Sequence, residues 1–486
     1  MPGDRAPPLR YRGAMQAHPI GGITRRPAWL AEAGATLALA WPLALTNLSQ
    51  HALALTDTVI LGWLSTEALA AGTLAANLYW AVMAAPLGTA FAAGPMLAQA
   101  RGAGRLPGGA GRGWVRQMRR GARSALWAAL ALLLPSMLLL WFAEPVLLAL
   151  GQQPHLAALA GTYLRAMMWG LPSFCGFIVL RGFLAAMERP APALWVAGGG
   201  ILLNGALCWL LVFGALSWPG LGILGAGIAS ALANAAMLGG LLGLMARDRV
   251  LGRFRLLGRF WRPDLAKLAE VVRLGLPISG SMLLEIGVFS AAAIAMGWFG
   301  AVAVAAHAIA LQTAGMTFMI PLGIGQAATA RVGLFAGAAE PRAAARAGWV
   351  AIGLGAGFML ATALLLVVAS APIARGFLGA GDAEAAAAAA LGATLLTIAG
   401  IFQLADGVQA VAAGALRGLK DTRVPMLLAA LGYWGLGMPV GLLLAWQAGF
   451  GPVGLWIGLA AGLGCVALLM LRRWRGLSGG AAAAGA

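Results

Sequence analysis

Apolar residues run along this chain in stretches longer than a water-soluble helix requires, and the charges fall between them. One stretch lies between Glu32 and Asp57, and a second between Glu67 and Arg101. Others cover 124–143, 156–186, 268–299, 303–330, 347–374 and 386–416. From Arg189 to Arg247 there are 57 positions without a charge, room for two spans with a turn at Trp218-Pro219-Gly220. Arg423 to Arg473 holds two more, broken near Gly449-Phe450-Gly451-Pro452. A helix of about 20 apolar residues crosses a bilayer, so the pattern predicts twelve transmembrane helices.

The pattern also repeats. A shift of 235 places Pro42 on Pro277, Gly62-Trp63 on Gly297-Trp298, Pro86-Leu87-Gly88 on Pro321-Leu322-Gly323, and Gly102-Ala103 on Gly337-Ala338. A shift of 233 places Glu188 on Asp421 and Pro192 on Pro425. Both halves hold six spans and start on the same side, which makes a parallel repeat about an axis along the membrane normal. The predicted fold is an all-α polytopic membrane protein, with twelve transmembrane helices in two six-helix lobes related by pseudo-two-fold symmetry. Two such lobes around a central cavity suit alternating access better than a channel, because no polar ring recurs on equivalent segments.

Composition agrees. Of 486 residues, 61% are hydrophobic and 10% charged, with mean hydropathy +0.85; too little charge to cover a soluble surface. Cys175, Cys208 and Cys465 lie in apolar runs without metal or redox spacing. The net charge of +18 hints at nucleic acid, but its distribution points elsewhere. Cations cluster in the N-terminal tail, in 99–123, in 247–267, and around Arg331, Arg417 and Arg472. Loops near 63–67, 143–155, 215–221, 299–302 and 446–452 contain none. The positive-inside rule then places both termini and the long loop in the cytoplasm. The expected organisation is a cytoplasmic tail (1–35), an N-lobe (36–246), a cytoplasmic linker (247–267), a C-lobe (268–475) and a disordered tail (476–486).

Three acids fall inside apolar spans: Asp57, Glu285 and Asp406. A charge at a helix centre costs about 2.5–3.5 kcal/mol on insertion scales, so each needs a use as proton relay, cation site or ion pair. The repeat does not share them; Asp57 falls on Ala292, Glu285 on Gln50 and Asp406 on Ser173. Shared prolines and glycines read as scaffold, unshared acids as function. Asn204 is a candidate amide ligand beside Asp57. Gln50, Asn77, Ser230, Gln312 and His307 are further intramembrane polar groups, for which interhelical hydrogen bonding is the plainer reading. Pro42 and Pro277 kink the first span of each lobe. No Walker A or HExxH motif occurs, so an ion gradient is the expected energy source.

Several of these segments resemble the multidrug and toxic compound extrusion (MATE) family. They are Pro42 with Leu55-Thr56-Asp57-Thr58 and Gly62; Ala98-Gln99 with Gly102-Ala103-Gly104-Arg105; and Gly275-Leu276-Pro277 with Glu285. Ala305-Ala306-His307, Pro321-Leu322-Gly323-Ile324-Gly325 and Ala412-Ala413-Gly414-Ala415-Leu416-Arg417-Gly418 with Asp421-Thr422 and Pro425 complete the set, and the likeness covers about residues 36–475. It implies an inner-membrane multidrug antiporter, not an enzyme, that exports amphipathic, mostly cationic compounds in exchange for H+ or Na+. No cofactor beyond that ion, no nucleic acid and no oligomeric partner is expected. Asp57, Asn204 and Ser230 are the expected coupling-ion site. Glu285, Asp406, Gln50, Asn77 and Gln312 are the expected cation and substrate site, and Pro42 and Pro277 the hinges. Na+, at Asp57 or at Glu285 and Asp406, is the only metal implied. One departure is Cys208, where the family usually has Asn or Asp one turn after the first asparagine; a thiol is a poor sodium ligand, which favours the proton at Asp57. Alternatives from the residues are a lipid-linked precursor flippase, for which Arg165 and Arg181 are the arginines to watch, and a non-transporting membrane scaffold.

Overall fold

Helix satisfies every backbone amide within one apolar segment, and the apolar stretches of this chain adopt it. The computed structural model describes residues 28–106, 113–215, 218–256, 258, 260–378 and 383–483. Among them, twelve helices have the length and apolarity of membrane spans. The first six are α1 (Ala28–Leu64), α2 (Thr66–Ala103), α3 (Trp114–Trp141), α4 (Pro154–Ala186), α5 (Ala191–Phe213) and α6 (Ile223–Arg247). The second six are α7 (Leu265–Gly297), α8 (Ala301–Gly337), α9 (Pro341–Val368), α10 (Ala383–Gly418), α11 (Arg423–Gln447) and α12 (Gly451–Ala483). Short helices Ala143–Ala149 and Ser370–Leu378 follow α3 and α9, one in each half. The predicted turn at Trp218 forms a two-residue antiparallel ladder, Gly214–Ala215 with Trp218–Pro219.

Two boundaries differ from expectation. α1 begins at Ala28, within the expected tail, because Glu32 is buried against Arg331 and ties that turn to the bundle. α12 continues through Ala483, past the expected end of order at 475; its closing alanines are the strongest helix formers. α11 holds two π-helical segments, Leu431–Gly437 and Leu443–Gln447. Its glycines let it lie close on α12, since a Cβ on Gly458 would come within 2.2 Å of the Gly441 backbone.

Each lobe has its own apolar core, but the cores do not divide the chain at its midpoint. Leu39, Ala40 and Leu43, on the first half of α1, belong to the C-lobe core. Val271, Leu274 and Ile278, on the first half of α7, belong to the N-lobe core. Both helices run unbroken through Pro42 and Pro277, and the hydroxyls of Thr46 and Ser281 donate to the carbonyls of those prolines.

Where the lobes cross, they touch backbone to backbone, and the contacts come in symmetric pairs. A Cβ on Gly88 would lie 2.4 Å from Ser279 N, and one on Gly323 would lie 2.6 Å from Ala44 N. Nearer the end that bears the basic loops, a Cβ on Gly102 would lie 1.9 Å from Leu334 O, and one on Gly337 would lie 2.1 Å from Gln99 O. Small residues of this kind are what allow membrane helices to approach. The same end carries the ion pairs between the halves: Arg331 of α8 is bidentate to Glu32 at 2.8 and 2.6 Å and also pairs with Glu188. Gln99 Nε2 donates to Gly418 O at 2.9 Å.

The linker is tied to the N-lobe. Arg189 pairs with Asp248 at 3.1 Å, Trp127 donates to Phe260 O at 2.8 Å and stacks on its ring, and Arg120 bonds the Asp264 carboxylate. The Arg120 guanidinium holds Asp264 below the usual carboxylate range.

Gly102→Val and Gly337→Val should force the basic ends of the lobes about 1.5 Å or more apart to restore ordinary contact. Spin labels on the loops after α2 and α8, read by double electron–electron resonance, test this; an unchanged distance would show that the glycine contacts do not set the closure.

Candidate functional site

A cavity of about 580 Å³ lies between the lobes. Its walls come from α1, α2, α4 and α6 on one side and α7, α8, α10, α11 and α12 on the other.

On the N-lobe side Asp57 is 4% exposed. Three neutral donors close on its carboxylate: Asn204 Nδ2 at 2.7 Å to Oδ1, with Ser230 Oγ and, at 3.4 Å, the Tyr163 hydroxyl to Oδ2. The Cys208 thiol, one turn after Asn204, faces the same group. No basic side chain pairs with Asp57 among the described residues. The helices bring these together because α1, α4, α5 and α6 turn Asp57, Tyr163, Asn204 and Ser230 toward one another. Asn204 Oδ1 is buried without a donor. Asn234, one turn beyond Ser230, donates to the Ser230 carbonyl at 2.8 Å and lines the cavity.

On the C-lobe side Glu285 of α7 lines the cavity and is part-exposed to it. Asp406 of α10 lies behind it, 7% exposed, with Oδ1 unpartnered. Glu285, Asp406, the Tyr433 hydroxyl and Arg417 lie close enough to form one electrostatic cluster. Gln409 bonds the Tyr433 hydroxyl, and Gln403 donates to Thr317 at 2.6 Å. Two neighbouring carboxylates with an amide–phenol pair beside them offer an oxygen-rich face to a cationic ligand.

The structure therefore gathers Asp57, Asn204 and Ser230, and brings Gln50, Glu285 and Asp406 to the same cavity or its wall. Gln312 stands off it, facing the lining residue His51 at 3.4 Å. Asn77 does not join: it is exposed, away from the lining, because its neighbours Ala76 and Tyr79 take the inward face of α2. Pro42 and Pro277 sit at the lobe crossing. His307 serves the C-lobe core, accepting from Trp456 Nε1 at 3.1 Å. Arg165 pairs with Glu144 at 3.4 Å, outside the lining.

Tyr163, Gln326, Arg417 and Tyr433 are lining residues that the sequence reading did not single out for the site. Arg417 reads as part of a basic loop cluster, yet it is still on α10 and reaches the cavity. A signal was available for the tyrosines. The chain has only four, and Tyr79, Tyr163 and Tyr433 all line this cavity.

The MatE family model matches residues 42–210 and 277–443. A protein of Mesorhizobium japonicum named "Probable multidrug resistance protein NorM" is 44% identical over 460 residues, covering 95% of this chain and 97% of its own. "Multidrug resistance protein NorM" of Burkholderia vietnamiensis is 40% identical over 445 residues, covering 90% and 92%. Among solved structures, the eukaryotic MATE transporter AtDTX14 superposes with a TM-score of 0.81 at 20% identity, over 93% of this chain and 98% of its own. A mutant of the Vibrio cholerae MATE transporter VcmN gives 0.81 at 19%, over 92% and 97%.

Gln50→Leu should cut efflux of a cationic dye from energised cells roughly tenfold, since it strips a bond from a buried guanidinium. Asn77→Leu should leave it within about twofold, as surface changes usually do. Equal losses in the two variants would show that the cavity wall is misplaced.

Proposed function

The chain belongs to the MATE family and is a multidrug efflux antiporter, and we propose that Asp57 is its proton-coupling residue while Glu285 and Asp406 receive the cationic substrate. The observation that carries this is the environment of Asp57: a buried carboxylate held only by neutral donors from Asn204, Ser230 and Tyr163. With no fixed cation to neutralise it, its charge is cancelled by taking up a proton. A hard cation such as sodium asks for oxygen ligands, and Cys208 puts sulfur on that shell. This supports the proton as coupling ion.

The positive-inside rule supports placing the basic end, with its closed glycine contacts, toward the cytoplasm of a bacterial inner membrane. In this orientation the structure is closed inward. Cationic compounds held at Glu285 and Asp406 leave as protons arrive, because one low-dielectric cavity does not accommodate both sets of positive charge cheaply. The rocking of two rigid lobes about the crossing points then alternates access. A flippase for a diphosphate-linked lipid needs a cavity dominated by cations. Here Asp57, Glu285 and Asp406 offset Arg181 and Arg417, which favours efflux.

Asp57→Asn should insert and bind dye, yet reduce efflux driven by a pH gradient in proteoliposomes to the rate of empty liposomes. Wild-type efflux in that variant would remove Asp57 from coupling. Glu285→Gln and Asp406→Asn should weaken binding of a cationic dye roughly tenfold more than binding of a neutral one, the loss of one charged contact. Fluorescence titration of the purified variants decides it, and equal losses for both dyes would point to folding instead.

A further inference from the structure

The roles assigned to Asp57, Glu285 and Asp406 leave two arginines of the cavity without a task. Arg181 is 3% exposed and donates only through Nη1, to Asn47 Oδ1 at 2.8 Å and Gln50 Oε1 at 3.3 Å. Arg417 donates only through Nε, to Ala413 O of its own helix at 3.2 Å. Neither makes an ion pair among the described residues, and the remaining guanidinium nitrogens of both have no protein acceptor. An unpaired cation in a low-dielectric wall is costly, so two at one place need a reason.

The surroundings supply it. Both arginines also line a second crevice of about 40 Å³ that shares Phe91, Ile178 and Gln326 with the main cavity and so continues its floor. That space suits a small group, since a cavity of about 10–15 Å³ already holds one water. Beside it, Asn47 Nδ2 and Gln50 Nε2 are buried without acceptors, because Arg181 occupies their oxygens. The spare groups on this wall are thus N–H donors. The exception is Gln326 Oε1, on an amide whose Nε2 donates to Asn47 Oδ1 at 3.4 Å. A converging set of donors without acceptors is the complement of an anion.

We propose that Arg181 and Arg417, with the amides of Asn47 and Gln50, form an anion subsite at the cavity floor that takes the carboxylate of a substrate whose cationic end lies toward Glu285. Arg417 and Glu285 are near enough to feel each other's charge, so the cavity presents opposite signs at neighbouring places. The inference deepens the efflux reading and rests on it: the exported compounds include zwitterions, sorted by the floor as well as by the acids. A small inorganic anion such as chloride has the same chemistry.

The test uses the purified full chain and two dyes, a rhodamine with a free benzoate and the methyl ester of the same dye. Wild type should bind the free acid roughly tenfold more tightly than the ester. Arg181→Gln and Arg417→Gln should each bring that ratio close to one. Arg417 bonds only its own helix, so its variant is the one least exposed to misfolding. Replacing chloride by gluconate separates the two anions. A rise in affinity for the acid in wild type but not in Arg181→Gln, with a matching loss of thermal stability in wild type alone, identifies chloride as an occupant. No change identifies the carboxylate. A ratio near one in wild type with no chloride effect, or a ratio that survives both glutamine variants, overturns the subsite. Failure of wild type to bind either dye counts instead against the efflux reading, and the chloride effect on stability still reads the floor.

Discussion

The lobes of this protein meet through backbone, and that closeness constrains everything else. At Gly88 and Gly323, and again at Gly102 and Gly337, there is no room for even one carbon between helices of opposite lobes. Because the four contacts are paired by the internal repeat, they define three crossings, α2 with α7, α1 with α8 and, at the basic end, α2 with α8, rather than a scattered seam. Polar residues placed half-way along these helices must then face one another across a common space. The cavity is what remains when four helices are pinned at one end.

Charge is handled differently at each level of that space. At the basic end, Arg331 and Arg105 are matched by Glu32 and Glu188 and the group is neutral in effect, so it closes the end without asking for a ligand. A buried pair of this kind is expensive to break, about 3–5 kcal/mol when one partner is removed. Higher up, Asp57 is surrounded by neutral donors, and the C-lobe acids lie beside each other with a phenol and an amide. The cavity floor holds the arginines whose spare donors are unmet. Compensation is complete where the lobes must hold together and incomplete where something must enter and leave.

Much of this was legible in the residues themselves. The number of helices follows from the charge-free windows, and the two lobes from the single offset that carries Pro42 onto Pro277. The membership of Asp57 and Glu285 follows from the cost of charge in apolar spans. What sequence did not reveal depends on rotation about helix axes. Asn77 and Gln50 are alike as polar residues in apolar runs, but one points out of the bundle and the other into it, and only the packing of neighbours decides. Arg417 was hidden for a related reason: a basic residue at the end of a span reads as a loop charge until the helix is seen to carry it inward. Glu32 was hidden because its partner lies 299 positions away.

The exchange of half-helices between the cores has a consequence for how the chain is made. The N-lobe leaves the ribosome first, yet its core is completed by Val271, Leu274 and Ile278 of the seventh helix. Six helices alone thus form an unfinished bundle, with a groove that the first turns of α7 must fill. The C-lobe is likewise unfinished without Leu39, Ala40 and Leu43, which were synthesised long before it. Neither half is an autonomous folding unit, although each descends from the same pattern. The two crossed helices make assembly of the lobes and closure of their interiors a single late event in biosynthesis.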